Sequence, residues 1–87
     1  MDYRLNNGIT VEKLDDGTSF LVSTETGKIF MLNNMGYGII EKIRCGLSTE
    51  EIINSVFREY NVEYLTARED ILRFLKVLEG EGHIIQC

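Results

Sequence analysis

The spacing of apolar residues changes once along this chain, at Asn33-Asn34, and that change limits the folds open to it. Before it, apolar side chains tend to recur at every second position, the repeat of a half-buried strand. After it, they recur every three or four positions, the repeat of an amphipathic helix. A chain that places its strands first and its helices afterwards cannot alternate them into a parallel α/β sheet. The pattern predicts an α+β fold, a helical bundle with a small antiparallel sheet against it.

Within the first third, residues 9–14 carry Ile9 and Val11 and then shift to Leu14, and Asp15-Asp16-Gly17 follows at once. Asp-Gly between alternating apolar runs is a strong hairpin signal, because glycine accepts the positive φ that such turns need. A second strand is predicted over 18–23, with Phe20 and Val22 on one face and Leu21 on the other. Thr24-Glu25-Thr26-Gly27 supplies the next turn, and a third strand over 28–32 is rich in Ile, Phe and Met. The result is a three-stranded meander. Its third strand is predicted to be a free edge, since nothing later in the chain reads as a strand long enough to cover it.

Past Asn33-Asn34, a good N-cap pair, Met35, Ile39, Ile40 and Ile43 mark a short helix that ends at Gly46. Ser48 followed by Glu51 forms a capping box for a second helix, with a predicted buried stripe of Ile52, Ile53, Val56, Phe57 and Tyr60 and a stop at Asn61. A third, longer helix is predicted to start near Thr66, where Glu69 completes a second box. It carries Ile71, Phe74, Leu75 and Leu78 inward before Gly80 and Gly82. The tail His83-Ile84-Ile85 reads as a short strand or extended segment closing the core. The second and third helices, joined by a short connection, have the look of a helix-turn-helix pair.

With 87 residues, one domain with one core is expected. Nine basic against fourteen acidic residues give a formal charge of −5, the wrong sign for a free-standing nucleic-acid binder or an anionic membrane surface. No long apolar run or signal-peptide layout is present, so a cytoplasmic location is expected. Cys45 and Cys87 form no C-x-x-C pair, which argues against a disulfide or zinc role, and Cys45 reads as a small buried apolar residue.

Reactive groups are scarce. His83 is the only histidine and has no sequence neighbourhood that supports a Cys-His or Ser-His-Asp scheme; it reads as a surface or C-terminal packing residue. Gly36-Tyr37-Gly38 lacks the third glycine of a phosphate loop and more simply lets the first helix approach the sheet. Glu50 and Glu51 compensate a helix N-terminus, and Asp15-Asp16 is turn chemistry. No catalytic residue, metal or cofactor is expected.

Taken in order, several of these segments resemble PqqD-like proteins. Thr26-Gly27 with Phe30 and Leu32-Asn33 looks like that family's Thr-Gly, aromatic, Leu-Asn strand. Gly36, Ile39-Ile40, Cys45-Gly46-Leu47-Ser48 and Ile52-Ile53 follow in the family's order, and Tyr60-Asn61-Val62 is similar to its Tyr-Asp-Val. Asp70-Ile71, Phe74-Leu75, Leu78 and Gly82-His83-Ile84 resemble the closing pattern, with His83 where Leu is usual. The likeness covers about residues 9–85. It implies a winged-helix-like fold that binds the leader segment of a ribosomally made precursor peptide and presents it to a separate enzyme. That enzyme is a radical-SAM protein in pyrroloquinoline quinone systems and a cysteine-protease-like leader peptidase in lasso-peptide systems. The Thr26-Gly27-Lys28-Ile29-Phe30 run leans toward the lasso type.

A physical route to such binding is addition of the guest as a further strand. Lys28, Ile29, Phe30, Met31 and Leu32 on the free edge would supply main-chain hydrogen bonds, and pockets for alternate side chains would supply specificity. The third helix is the expected wall. With Ile71 pointing inward and about 100° per residue, Phe74 and Leu78 lie nearby, Asp70, Arg73 and Val77 fall on one flank and Leu72 on the other. Phe30, Leu32, Phe74 and Val77 are expected to line apolar pockets, and Lys28, Asp70 and Arg73 to make charged contacts that fix register. Simpler roles are open to several: Phe30 and Phe74 as core, Arg73 as part of a solvated face, Asp70 as a helix-dipole partner. A winged-helix DNA-binding regulator is the alternative. Against it, residues 48–82 carry four basic and eight acidic side chains, a net of −4.

Overall fold

The computed structural model describes residues 2–87. In chain order its elements are β1 (Tyr3–Leu5), β2 (Ile9–Lys13), β3 (Ser19–Ser23), β4 (Ile29–Leu32), α1 (Asn34–Arg44), α2 (Thr49–Tyr60), α3 (Tyr64–Gly80) and β5 (Ile84–Gln86). This is the α+β arrangement that the change of period at Asn33-Asn34 predicts.

β2, β3 and β4 form an antiparallel sheet in that order. Its first turn closes as Leu14 N–H donates to Thr18 O at 2.7 Å, with Gly17 at φ +92° and Asp16 Oδ1 accepting from Thr18 N–H at 2.9 Å. A three-residue loop ending in a left-handed glycine suits the right-handed twist of the strands it joins. Alternation then sorts the side chains. Leu21 is fully buried, and its cross-strand neighbours Val11 and Phe30 lie on the same inner face against the helices. Phe20, Val22, Ile29 and Met31 occupy the outer face, where Ile29 and Met31 are 60% and 61% exposed.

The helices supply the other layer. Asn33 caps α1 through its side chain, which accepts from Gly36 N–H at 2.7 Å. Ser48 and Glu51 cap α2 reciprocally: Ser48 Oγ accepts from Glu51 N–H at 3.2 Å, and Glu51 Oε1 accepts from Ser48 N–H at 2.8 Å. The hydrogen bond from Ser48 N–H, followed by one from the Ser48 hydroxyl, holds the Glu51 carboxyl below its ordinary pKa. Ile39, Ile40, Ile43, Ile52, Ile53, Val56, Ile71, Leu75 and Leu78 meet Leu21 and Ile84 in one core.

Several expectations are corrected. α3 starts at Tyr64, with Glu63 at the N-cap and no side-chain cap, so Thr66 is already helical and its box with Glu69 does not open the helix. Phe57 and Tyr60 are 40% and 41% exposed, because the last turn of α2 extends past the core; Phe57 packs edge-on against Tyr64, ring centroids 5.5 Å apart. Cys45 is exposed, since as C-cap of α1 it turns outward before Gly46 at φ +86°. The glycines of α1 differ: a β-carbon on Gly36 would stand 3.1 Å from Phe74 Cζ and 3.5 Å from Leu32 Cδ2, whereas Gly38 meets only Lys42 Nζ at 3.8 Å. Only Gly36 serves a close approach.

One strand is additional to the predicted meander. β1 pairs antiparallel with β5, Tyr3 opposite Gln86 and Leu5 opposite Ile84. The tail therefore does close the core as a strand, and its partner is the N-terminal segment rather than β4.

Candidate functional site

The side of β4 away from β3 has no strand against it among the described residues. Which backbone groups face that open side follows from the ladder. Ser23 N–H donates to Lys28 O at 3.0 Å, so Ser23 and Lys28 form a hydrogen-bonded pair at the end of the β3–β4 register. Bonded and non-bonded pairs alternate in antiparallel sheets. Leu21 with Phe30, and Ser19 with Leu32, are therefore the bonded pairs; Ser19 Oγ also donates to Leu32 O at 3.4 Å. Ile29 and Met31 belong to the other phase, and their N–H and C=O groups point away from β3. Two donors and two acceptors are thus presented in strand geometry.

The flank of α3 facing this edge is set by Phe74. Its ring stands beside Gly36 together with the Leu32 side chain, so Phe74 looks toward the β4 side, and the spacing of four and three residues puts Asp70 and Val77 on the same helix face as Phe74. Leu72 lies on the opposite flank, in a separate cavity of about 450 Å³ whose lining also includes Tyr3, Arg68, Lys76 and Gln86. The structure places the residues singled out from sequence as follows. Phe30, Leu32 and Phe74 are half-buried and pack on the core. Val77 is 46% exposed, and Ile29 and Met31 carry apolar surface over the outer face. Lys28 is exposed at the head of β4. Asp70 and Arg73 are paired with each other, Nη1 to Oδ1 at 3.2 Å, so each already has a partner.

Sequence reasoning missed one lining residue. His83 is 6% exposed and meets Phe30 edge-on with ring centroids 5.1 Å apart. It borders a cavity of about 210 Å³ at the Lys28 end of β4, with Ile9, Phe30, Glu81 and Gly82 also in the lining. Burial lowers its pKa, against a smaller opposing influence from Glu81. The signal that could have found it is the single polar residue in an otherwise apolar closing run.

Among the described residues no helix is long and apolar enough to cross a membrane, and no group of three or more His, Cys, Asp or Glu side chains is placed to hold a metal ion.

Such a fold defines a small winged-helix-like module with an open sheet edge beside its longest helix. The chain belongs to the family described as coenzyme PQQ synthesis protein D (PqqD), which matches residues 18–84. No curated protein sequence matches it. Among solved structures, it is similar to "Lasso peptide synthetase B1 complexed with the leader peptide", with 26% identity, 99% of this chain and 100% of that chain covered, and a TM-score of 0.88. It is also similar to "TbiB1 in complex with the TbiA(beta) leader peptide", with 25% identity, 97% and 96% covered, and a TM-score of 0.87.

Proposed function

We propose that this protein is a non-catalytic peptide-recognition element. It binds the leader segment of a ribosomally synthesised precursor as an added strand on β4, beside α3, and presents the precursor to a separate enzyme. The observation that carries the reading is the phase of β4: Ile29 and Met31 offer their backbone groups to the open side. Phe74, whose ring meets Leu32 beside Gly36, and exposed Val77 three residues on are the wall this reading assigns. Main-chain bonds to these groups supply affinity, while Phe30, Leu32, Phe74 and Val77 receive leader side chains. Lys28 sits where an acidic leader residue would be held in register, and the Asp70–Arg73 pair borders the same flank.

Family membership and the leader-bound state of both similar structures support this reading. Because one of the two is a lasso peptide synthetase protein, a leader peptidase is favoured as partner enzyme over a radical-SAM enzyme. Precursors of this kind are made on cytoplasmic ribosomes, which supports a cytoplasmic location for a protein that binds them.

The test is a fluorescence-anisotropy titration with a labelled leader peptide drawn from the precursor encoded beside this chain. Wild type saturates. Met31→Pro removes an outward N–H without touching the β3–β4 bonds, a substitution that edge strands tolerate, and it loses binding while remaining folded. Equal binding by folded Met31→Pro, or no binding by wild type, overturns strand addition at β4.

A further inference from the structure

His83 is fixed on several sides. Its N–H donates to Leu78 O at 2.9 Å, its C=O accepts from Asn6 N–H at 3.0 Å, and Asn6 Nδ2 donates to Gly82 O at 3.1 Å, clamping the turn before it. Phe30 covers one side of the ring. In this setting Nδ1 is sealed from solvent with no hydrogen-bond partner, alone in that respect among buried side-chain polar atoms of the described residues. Nε2 is not sealed in this way, and His83 is among the residues lining the 210 Å³ cavity, which lies at the Lys28 end of β4 and extends to Ile9 and Ser23. A void of about 150 Å³ holds a benzene ring, so this cavity has room for one side chain of a bound peptide.

Resting on the peptide-binding reading above, we propose that His83 is a specificity-determining residue of the groove, its Nε2–H donating a hydrogen bond to a neutral oxygen on the leader residue seated in that cavity. A neutral imidazole carries one N–H and one bare lone pair. Buried N–H groups without partners are rarer in proteins than under-satisfied acceptors. The lone pair therefore belongs on the sealed Nδ1 and the proton on Nε2. The cavity is walled by Ile9, Ile29 and Phe30 on its apolar part and by Ser23, Thr26, Lys28 and Glu81 on its polar part. A donor whose guest displaces water discriminates: a hydroxyl or carbonyl oxygen satisfies it, while an all-carbon side chain leaves it bare. Lys28 and Glu81, of opposite sign, also line the cavity, so neither fixed charge favours a charged guest over a neutral one.

The experiment has two arms. In the first, the histidine tautomer of free, ¹⁵N-labelled protein is read from long-range ¹H–¹⁵N correlations. The Nε2–H form is expected, with an Nε2 shift on adding the adjacent-precursor leader peptide. A dominant Nδ1–H form, or an Nε2 that saturating leader does not move, overturns the proposal. In the second, His83→Leu is expected to weaken leader binding about three- to tenfold, the effect of one lost hydrogen bond. His83→Gln, whose amide reaches the Nε2 position, is expected to stay within about twofold of wild type on the same scale. Folded His83→Leu binding as tightly as wild type, or His83→Gln falling as far as His83→Leu, overturns it. If wild type binds and Met31→Pro does not, the peptide-binding reading stands whichever way His83 falls; if wild type does not bind, that reading fails first and this proposal with it.

Discussion

Phe74 and Gly36 are in direct opposition: a β-carbon on Gly36 would stand 3.1 Å from Phe74 Cζ, closer than such atoms pack without adjustment. The Phe74 ring, the proposed wall for the leader, thus rests on a glycine of α1, and α1 follows β4 directly through Asn33. Strand edge and helix wall are positioned by the same few residues.

Gly36→Ala tests this coupling. Alanine favours the helix by about 1 kcal/mol over glycine, which offsets the cost of displacing Phe74, so the unfolding midpoint changes little. Leader affinity falls, because the Phe74 ring moves relative to Leu32. Gly36→Val adds overpacking of about 1–3 kcal/mol and lowers the midpoint as well. Urea denaturation beside the anisotropy titration separates the two effects.

On the exposed part of the wall, Val77→Asp is expected to leave stability within about 0.5 kcal/mol, as for most surface changes, and to weaken leader binding at least about tenfold by placing a carboxylate under an apolar guest. Arg73→Glu replaces the partner of Asp70 with a like charge. The exposed Asp70–Arg73 pair contributes little stability, so a change in leader binding by folded Arg73→Glu reports on recognition itself.

The capping box of α2 gives a prediction independent of the groove. Ser48→Ala removes one half of the reciprocal cap and is expected to lower stability by about 1 kcal/mol, read from chemical denaturation, with leader affinity unchanged.

Stability also depends on pH through His83. Burial lowers its folded-state pKa from the ordinary 6.5, so on acidification the unfolded chain takes up this proton first. The contribution is whole above 6.5 and is lost as the pH falls from there through the lower folded value. Denaturation curves for wild type should weaken between pH 7.5 and pH 5.5 more than those for His83→Leu; parallel losses would show that other groups carry the dependence.

How much of this was legible in sequence depends on the range of the forces involved. The 15–17 turn and the Ser48–Glu51 cap are written in neighbouring residues, and both form as read. Tyr3–Leu5 was missed because three residues make too short an alternation and the partner strand lies at the other end of the chain. The start of α3 was misplaced because tertiary packing, with no side-chain cap, begins the helix at Tyr64. At the site, the free edge was legible, yet its phase was not: that Ile29 and Met31 face outward follows from the Ser23–Lys28 bond, and no composition reveals it. The mutual pairing of Asp70 and Arg73, by contrast, was open to reading from their three-residue spacing on a helix.

The pairing of β1 with β5 brings Cys87 N–H to 3.0 Å from Asp2 O, and Tyr3 and Gln86 line the cavity on the Leu72 flank of α3, away from the Phe74 flank. The two outer strands of the fold are thus held together on the side away from the proposed leader site, so the module is portable. A host polypeptide could receive it at a single loop, or a short tether could close it into a ring reopened at the Asp16-Gly17 bend, with recognition left intact.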